Sequence, residues 1–439
     1  MSRRKISCRV LSIVAVTTIA VSVCAEAQVS GSTYAIGGAT IYTLAGEPIE
    51  GGTVVIQDGR ITAVGMNVTV PAGATRIDAA GLQVYPGLFN AYSQLGLQEI
   101  NAVTVTNDVR ELGNFNPQLQ AATAVHPASE RIPVTRANGV THVVAAPSTG
   151  GGGIAGRASA IHLDGWTGEE MLIESSVGMV LNWPSIQTRR FNFQTFRTTN
   201  RSYSEAQEEY EKAVGQLEDW LEDARRYARA VESGSNRRRD LKLESMGPVI
   251  AGELPVLVLA DAERDIRNAL EFAEEQGLKM VLVSGRDAWK VADLLAEKDV
   301  PVLMRATQNM PTTADDAYDE TFTAAATLHE AGVRFAMTGY GSSGPNPPSR
   351  TLAYEAANAV PYGLPWEEAL KSITRYPAEI LGLGDELGTI EEGKIANLIV
   401  TDGDPMLIQI QILHVFIKGE PVSLDNKHKA LYEKYRARN

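Results

Sequence analysis

The stretch Val84-Tyr-Pro-Gly-Leu-Phe-Asn-Ala-Tyr-Ser-Gln-Leu-Gly96 decides how the rest of the chain is read. A Pro86-Gly87 turn enters a short apolar run, and polar side chains stand at its exit. That is the form of a short strand with polar groups gathered at one end. Seven further strand-like runs follow, at 141–146, 158–163, 177–182, 255–260, 279–284, 300–304 and 334–338, and with 84–89 they make eight. Helical patterns fall between them at 263–276, 288–297 and 319–331, with Gly277 and Gly332 where helices should stop. Strand alternating with helix is the pattern of a parallel α/β sheet.

The two chain ends read as β structure. Residues 33–83 hold short β-rich runs, and Asp58-Gly59 is a hairpin turn between two of them. The pattern at 54–65, Val-Ile-Gln-Asp-Gly-Arg-Ile-Thr-Ala-Val-Gly, and Ile77-Asp-Ala-Ala-Gly81 have partners far downstream, in Leu387-Gly-Thr-Ile-Glu-Glu-Gly-Lys-Ile-Ala-Asn-Leu-Ile-Val-Thr-Asp402 and in Val415-Phe-Ile-Lys-Gly-Glu-Pro-Val422. Together with the Pro-Gly-Leu frame, these segments resemble the amidohydrolase superfamily, and most nearly its exported, imidazolonepropionase-like branch. Asn397 replaces the aspartate common in the family's tail motif.

The resemblance implies an α/β fold: a (β/α)8 TIM-type barrel plus a small β-sandwich built from both chain ends. The implied boundaries are 1–27 for a signal peptide, 28–83 with 385–425 for the composite sandwich, 84–384 for the barrel, and 426–439 for a tail. A long charged helix at 204–232 has apolar positions at helical spacing (Tyr210, Val214, Leu217, Trp220, Leu221, Ala224, Tyr227). With the basic segment after it, it reads as an insertion of about 204–240 between the fourth and fifth strands, packed on the barrel with one solvated face.

At 44% hydrophobic and 21% charged, the 439 residues have an ordinary globular composition. Arg3, Arg4, Lys5 and Arg9 precede an apolar run at 10–23 that ends at Ala25-Glu-Ala27, the layout of a secretory signal. Ser2-Arg-Arg-Lys faintly suggests the twin-arginine variant, and ordinary secretion is the preferred reading. The expectation is therefore a periplasmic or secreted protein with no membrane span once the signal is removed. Both cysteines, Cys8 and Cys24, lie in that segment. The mature chain would carry no disulfide and rely on its core. The formal net charge is -13, and such a surface repels the phosphates of nucleic acid and of anionic lipid.

Superfamily enzymes hold one or two divalent metals, commonly zinc, with two histidines after the first strand, a carboxylated lysine or glutamate after the fourth, histidines after the fifth and sixth, and an aspartate after the eighth. Carried over by the resemblance, those positions hold Tyr92 and Gln94, then Asn182-Trp183, Asp261, Ser284 and Tyr340. A tyrosine with its pKa near 10 is a costly zinc ligand at neutral pH, and a glutamine amide is a weak one. The six histidines (His126, His142, His162, His329, His414, His428) show no i+2 or i+4 pairing to replace the set. No cofactor is therefore expected. The polar residues that remain near the strand ends are Tyr92, Gln94, Ser148, Arg157, Asn182, Trp183, Asp261, Arg264, Ser284, Arg286, Arg305 and Tyr340. Of these Arg157, Asn182, Trp183, Arg264, Arg286 and Arg305 are the binding candidates, because arginines clamp carboxylates and suit a small anionic ligand.

Two readings follow. In one the chain is a non-catalytic relative, a binding protein or the partner subunit of a catalytically competent homologous amidohydrolase, in a homo- or hetero-oligomer. In the other it is an active hydrolase of amide C–N bonds with relocated metal ligands or a metal-free site.

Overall fold

The computed structural model describes residues 32–192, 197–234, 238–312, 315–341 and 349–438. The segment 1–27 expected to be a signal peptide lies outside the described residues. The N-terminal strands are β1 (Thr33–Ile41), β2 (Ile49–Gln57), β3 (Arg60–Gly65), β4 (Thr75–Asp78) and β5 (Gln83–Pro86). Barrel strands β6 (Leu88–Ser93), β7 (Val140–Ala145), β8 (Gly153–His162) and β9 (Leu172–Asn182) come next. A small hairpin, β10 (Arg189–Asn192) and β11 (Arg197–Asn200), precedes the remaining barrel strands β12 (Val256–Ala260), β13 (Met280–Ser284), β14 (Val302–Met304) and β15 (Phe335–Met337). The chain closes with β16 (Leu398–Thr401), β17 (Ile412–Ile417) and β18 (Glu420–Pro421).

The expected run at 84–89 is two strands. Its first half, β5, pairs with β1 and with β16 in the composite sheet, and its second half starts the barrel as β6. The sheet order β18-β17-β16-β5-β1-β2-β3, with β4 on β1, joins both chain ends. The small domain is thus one hydrogen-bonded sheet rather than two. Its core takes Ile36, Ile56 and Val84 from one end and Leu398, Val400 and Phe416 from the other.

The barrel runs β6-β7-β8-β9-β12-β13-β14-β15. The sequence pattern predicts a parallel barrel, but β8 is antiparallel to both β7 and β9. The reason is connection length. A parallel crossover needs a dozen or more residues, and only residues 146–152 separate β7 from β8. Gly153 is also required at the turn. Its φ is +141°, and a Cβ there would lie 2.1 Å from the Asn114 carbonyl oxygen. The upper half of β8 pairs on its open side with the 114–120 segment, through Ile154 N–H to Asn114 O at 2.7 Å and Arg157 N–H to Leu119 O at 2.8 Å.

Between β15 and β6 the ring is bridged by two consecutive carbonyls, Ser372 accepting from Met337 N–H at 2.9 Å and Ile373 accepting from Phe89 N–H at 2.8 Å. Inside the barrel Phe89, Val144, Val180, Leu257, Val281, Val283, Leu303 and Ala336 form a packed core rather than a pore. Among the described residues no helix is long and apolar enough to cross a membrane.

The long insertion is a helix, Tyr203–Glu232. Its start is fixed by a capping box, in which Ser202 Oγ accepts from Glu205 N–H and the Glu205 carboxylate accepts from Ser202 N–H at 3.0 Å. Leu217, Leu221, Ala224 and Tyr227 are buried at three- and four-residue spacing. Asn268 donates to the Tyr210 hydroxyl at 2.8 Å, and Arg225 donates to the Gln276 carbonyl at 2.7 Å, which tie the helix to Glu263–Glu275. Burying each leucine contributes about 2 kcal/mol.

Candidate binding site at the barrel rim

A cavity of about 710 Å³ opens where β9, β12 and β13 end. Its floor is Asn182, Trp183, Leu259, Ala260, Asp261, Ser284 and Tyr340. One wall is Thr149 with Gly150, Gly151 and Gly152, and another is Arg286 with Asp265. The third comes from the insertion, with Arg189 and Arg201 from the hairpin and Glu209 and Tyr210 from the long helix.

Asp261 follows β12 and is exposed to the cavity. Its Oδ1 accepts from Ser284 Oγ at 2.7 Å and from the Arg286 N–H at 3.2 Å. That geometry rests on the turn after β13, where Ser284 has φ +71° and Gly285 φ +56°. A left-handed serine is strained by about 1 kcal/mol. The turn recovers this through the bonds to Asp261, which tie the ends of β12 and β13 together.

Tyr92 does not line the cavity. It is 1% exposed, beneath Tyr340, with ring centroids 4.9 Å apart and planes at 81°. Burial, and then the neighbouring Tyr340 hydroxyl, push the Tyr92 phenol well above its ordinary range. Tyr340 is pushed up as well, by burial and next by Asp261, with Arg305 opposing. Neither phenol ionises near neutral pH. Gln94 is partly buried at the exit of β6, away from the cavity lining, and its carbonyl accepts from Leu97 N–H at 3.1 Å.

The arginines named from the sequence are largely engaged by protein partners. Arg264 pairs with Asp265 at 2.7 Å and Arg286 with Asp287 at 3.1 Å. Burial works against the Asp287 carboxylate, but Arg286, the Glu263 N–H and Lys290 together hold it below its usual range. Arg305 donates to the Gly341 carbonyl at 2.8 Å. Arg157 sits half-way along β8 with the Gln120 side-chain amide as its partner, and burial lowers its pKa. Ser148 lies in the loop after β7, where its N–H donates to Val109 O at 2.7 Å. Of the sequence candidates, the cavity gathers Asn182, Trp183, Asp261, Ser284, Arg286 and Tyr340.

The residues at this rim do not suit a catalytic metal. Among the described residues no group of three or more histidine, cysteine, aspartate or glutamate side chains is placed to hold one. Asp261 Oδ1 is taken by two donors, and the Tyr92 oxygen is sealed in the core. His142 and His162 are buried at the opposite end of the barrel, bonded to Asn397. His126, His414 and His428 are exposed, and His329 faces Glu368 at 3.8 Å.

The solved structure of an amidohydrolase from Thermotoga maritima MSB8 superposes with a TM-score of 0.76 at 26% identity, over 89% of this chain and 99% of that one. The Amidohydrolase family model matches residues 249–425. This chain belongs to the amidohydrolase superfamily. Amidohydrolase tasK of Hapsidospora irregularis is 25% identical over 423 residues, which is 86% of this chain and 41% of that protein. Imidazolonepropionase of Sphingopyxis alaskensis is 38% identical over 96 residues, 21% of this chain and 24% of the relative. The chain thus spans less than half the length of the curated relatives it matches.

The superfamily frame explains where the cavity lies, since barrel chemistry sits at the C-terminal ends of the strands. The sequence pointed to Asn182, Trp183, Asp261, Ser284, Arg286 and Tyr340 for that reason. Arg189, Arg201, Glu209 and Tyr210 were missed. Their one sequence signal is position, because an insertion that starts just after a fourth strand starts at the rim.

Proposed function

We propose that this protein is a non-catalytic amidohydrolase that keeps the rim cavity as a binding site for a small molecule. One observation carries the reading: the Asp261 oxygen at the ligand-equivalent position is held by Ser284 Oγ at 2.7 Å and by the Arg286 N–H. Where superfamily enzymes cross-link strand ends through a metal, this chain uses a carboxylate–hydroxyl–amide lock. The Tyr92–Tyr340 contact fills the space beside it. The protein is proposed to be exported, on the strength of the basic and apolar N-terminal segment, and to act beside a catalytically competent homologous amidohydrolase.

The alternative is a hydrolase that works without metal. It is favoured by the exposed Asp261 carboxylate, which can act as a base at the cavity floor. The two readings are separated by elemental analysis of purified protein after loading with zinc, manganese or iron, together with hydrolysis assays on simple amides. The expected result is below about a tenth of an equivalent of metal after dialysis, and no turnover. About one bound equivalent, or hydrolysis abolished by Asp261→Asn, would overturn the non-catalytic reading.

A further inference from the structure

The charges lining the cavity are nearly all paired. Arg201 pairs with Glu209, Asp265 with Arg264, and Arg286 with Asp287. Two lining charges remain without an ion-pair partner among the described residues. One is the Asp261 carboxylate at the floor. Its Oδ1 accepts from neutral donors only; among the described residues it forms no ion pair, and the Arg286 guanidinium acts on it from farther off. The other is the Arg189 guanidinium on the hairpin wall, which is exposed. Tyr340, Tyr210 and Trp183 also line the cavity.

We infer that the cavity selects a zwitterion, a molecule of dipeptide size whose ammonium group pairs with Asp261 and whose carboxylate pairs with Arg189. The inference rests on the binding reading above and adds the ligand class to it. A ligand that cancels both residual charges leaves the site neutral. A purely anionic ligand would leave Asp261 repelling it, and a purely cationic one would leave Arg189 unsatisfied. Arginine also presents a planar fork that fits a carboxylate in two-point fashion. A volume of about 710 Å³ lies within the range of small-molecule sites.

The test is calorimetric titration of the full protein with leucyl-leucine, its N-acetyl form and its C-terminal amide. The zwitterion is expected to bind, and blocking either end is expected to weaken it by about tenfold. Asp261→Asn keeps an acceptor oxygen for Ser284 and Arg286, so the turn stays supported. It should weaken leucyl-leucine but not the N-acetyl form, which binds as well or better once Asp261 no longer repels its carboxylate. Arg189→Gln should weaken leucyl-leucine while leaving the amide unchanged. Equal affinity for all three forms, or no binding of any, overturns the zwitterion. If the charge pattern holds but leucyl-leucine is cleaved, the zwitterion stands and the non-catalytic reading falls.

Discussion

Gly87→Ala is expected to destabilise the fold by about 3 kcal/mol. A Cβ at Gly87 would lie 2.1 Å from Thr141 Oγ1, 2.4 Å from its Cγ2 and 2.8 Å from its Cβ. No side-chain rotation relieves this, since Thr141 is fully buried on β7 and its Oγ1 sits 2.6 Å from His142 Nδ1. The backbone cannot retreat either. Gly87 N–H donates to the Asn397 carbonyl at 2.8 Å, and the residue joins β5 of the small domain to β6 of the barrel. Gly87 has no left-handed φ, so the Pro-Gly-Leu motif needs glycine for space, against Thr141 of β7. Urea denaturation measures the loss, and Thr141→Gly in the alanine background should return part of it. Gly215→Ala supplies the contrast. It lies mid-helix with nothing within 4 Å of the added Cβ, so a gain of about 1 kcal/mol is expected. A Gly87→Ala protein as stable as the parent would refute the close-approach account.

That residue also marks how far the sequence could be read. Local pattern located the strands, because apolar runs and their bounding glycines are properties of short segments. It could not divide 83–93 between two sheets, since β5 and β6 are both apolar and differ only in distant partners. The direction of β8 was legible in principle, from a seven-residue connection too short for a crossover. The eight-run count concealed it. At the rim, six of the residues named from the sequence line one cavity, but their partnerships were not legible. That Ser284 bonds Asp261 depends on a left-handed turn that composition does not announce. That Arg264 and Arg286 are neutralised by Asp265 and Asp287, their neighbours in sequence, was available locally and weakens the case for an arginine clamp. The wall given by Arg189, Arg201 and Tyr210 comes from folding an insertion back over the barrel, which no periodicity specifies.

The second large effect is expected on acidification, at the end of the barrel opposite the cavity. His142 and His162 face each other across the antiparallel β7–β8 pair, with the Asn397 side chain between them. Asn397 Oδ1 accepts from the Lys418 N–H at 2.9 Å, which turns its Nδ2 toward the imidazoles, 3.2 Å from His162 Nδ1 and 3.4 Å from His142 Nδ1. A donor at that place favours neutral rings that accept at Nδ1, where His142 also meets the Thr141 hydroxyl at 2.6 Å. Burial lowers His162 to about 3, with Lys418 adding to it. Burial, and then His162, push His142 well below its ordinary value. Above pH about 6.5 neither the folded nor the unfolded chain protonates these rings, and their contribution is intact. Below it the unfolded chain binds protons that the folded chain excludes, and stability falls by about 1.4 kcal/mol per pH unit for each histidine. Between pH 6.5 and 5 the two together cost about 4 kcal/mol, a large part of an ordinary domain's margin. Glu355, held above its usual range chiefly by burial, works in the opposite direction and offsets part of this as pH falls toward 4.5. Urea denaturation across this pH range should give a steep loss for the parent and about half that slope for His162→Gln. Equal slopes would remove the histidines from the account. Asn397→Asp carries the argument one step further. A carboxylate between the rings favours their protonated forms, so the acid slope should flatten while stability at pH 8 falls, because two neutral acceptors would then face an anion.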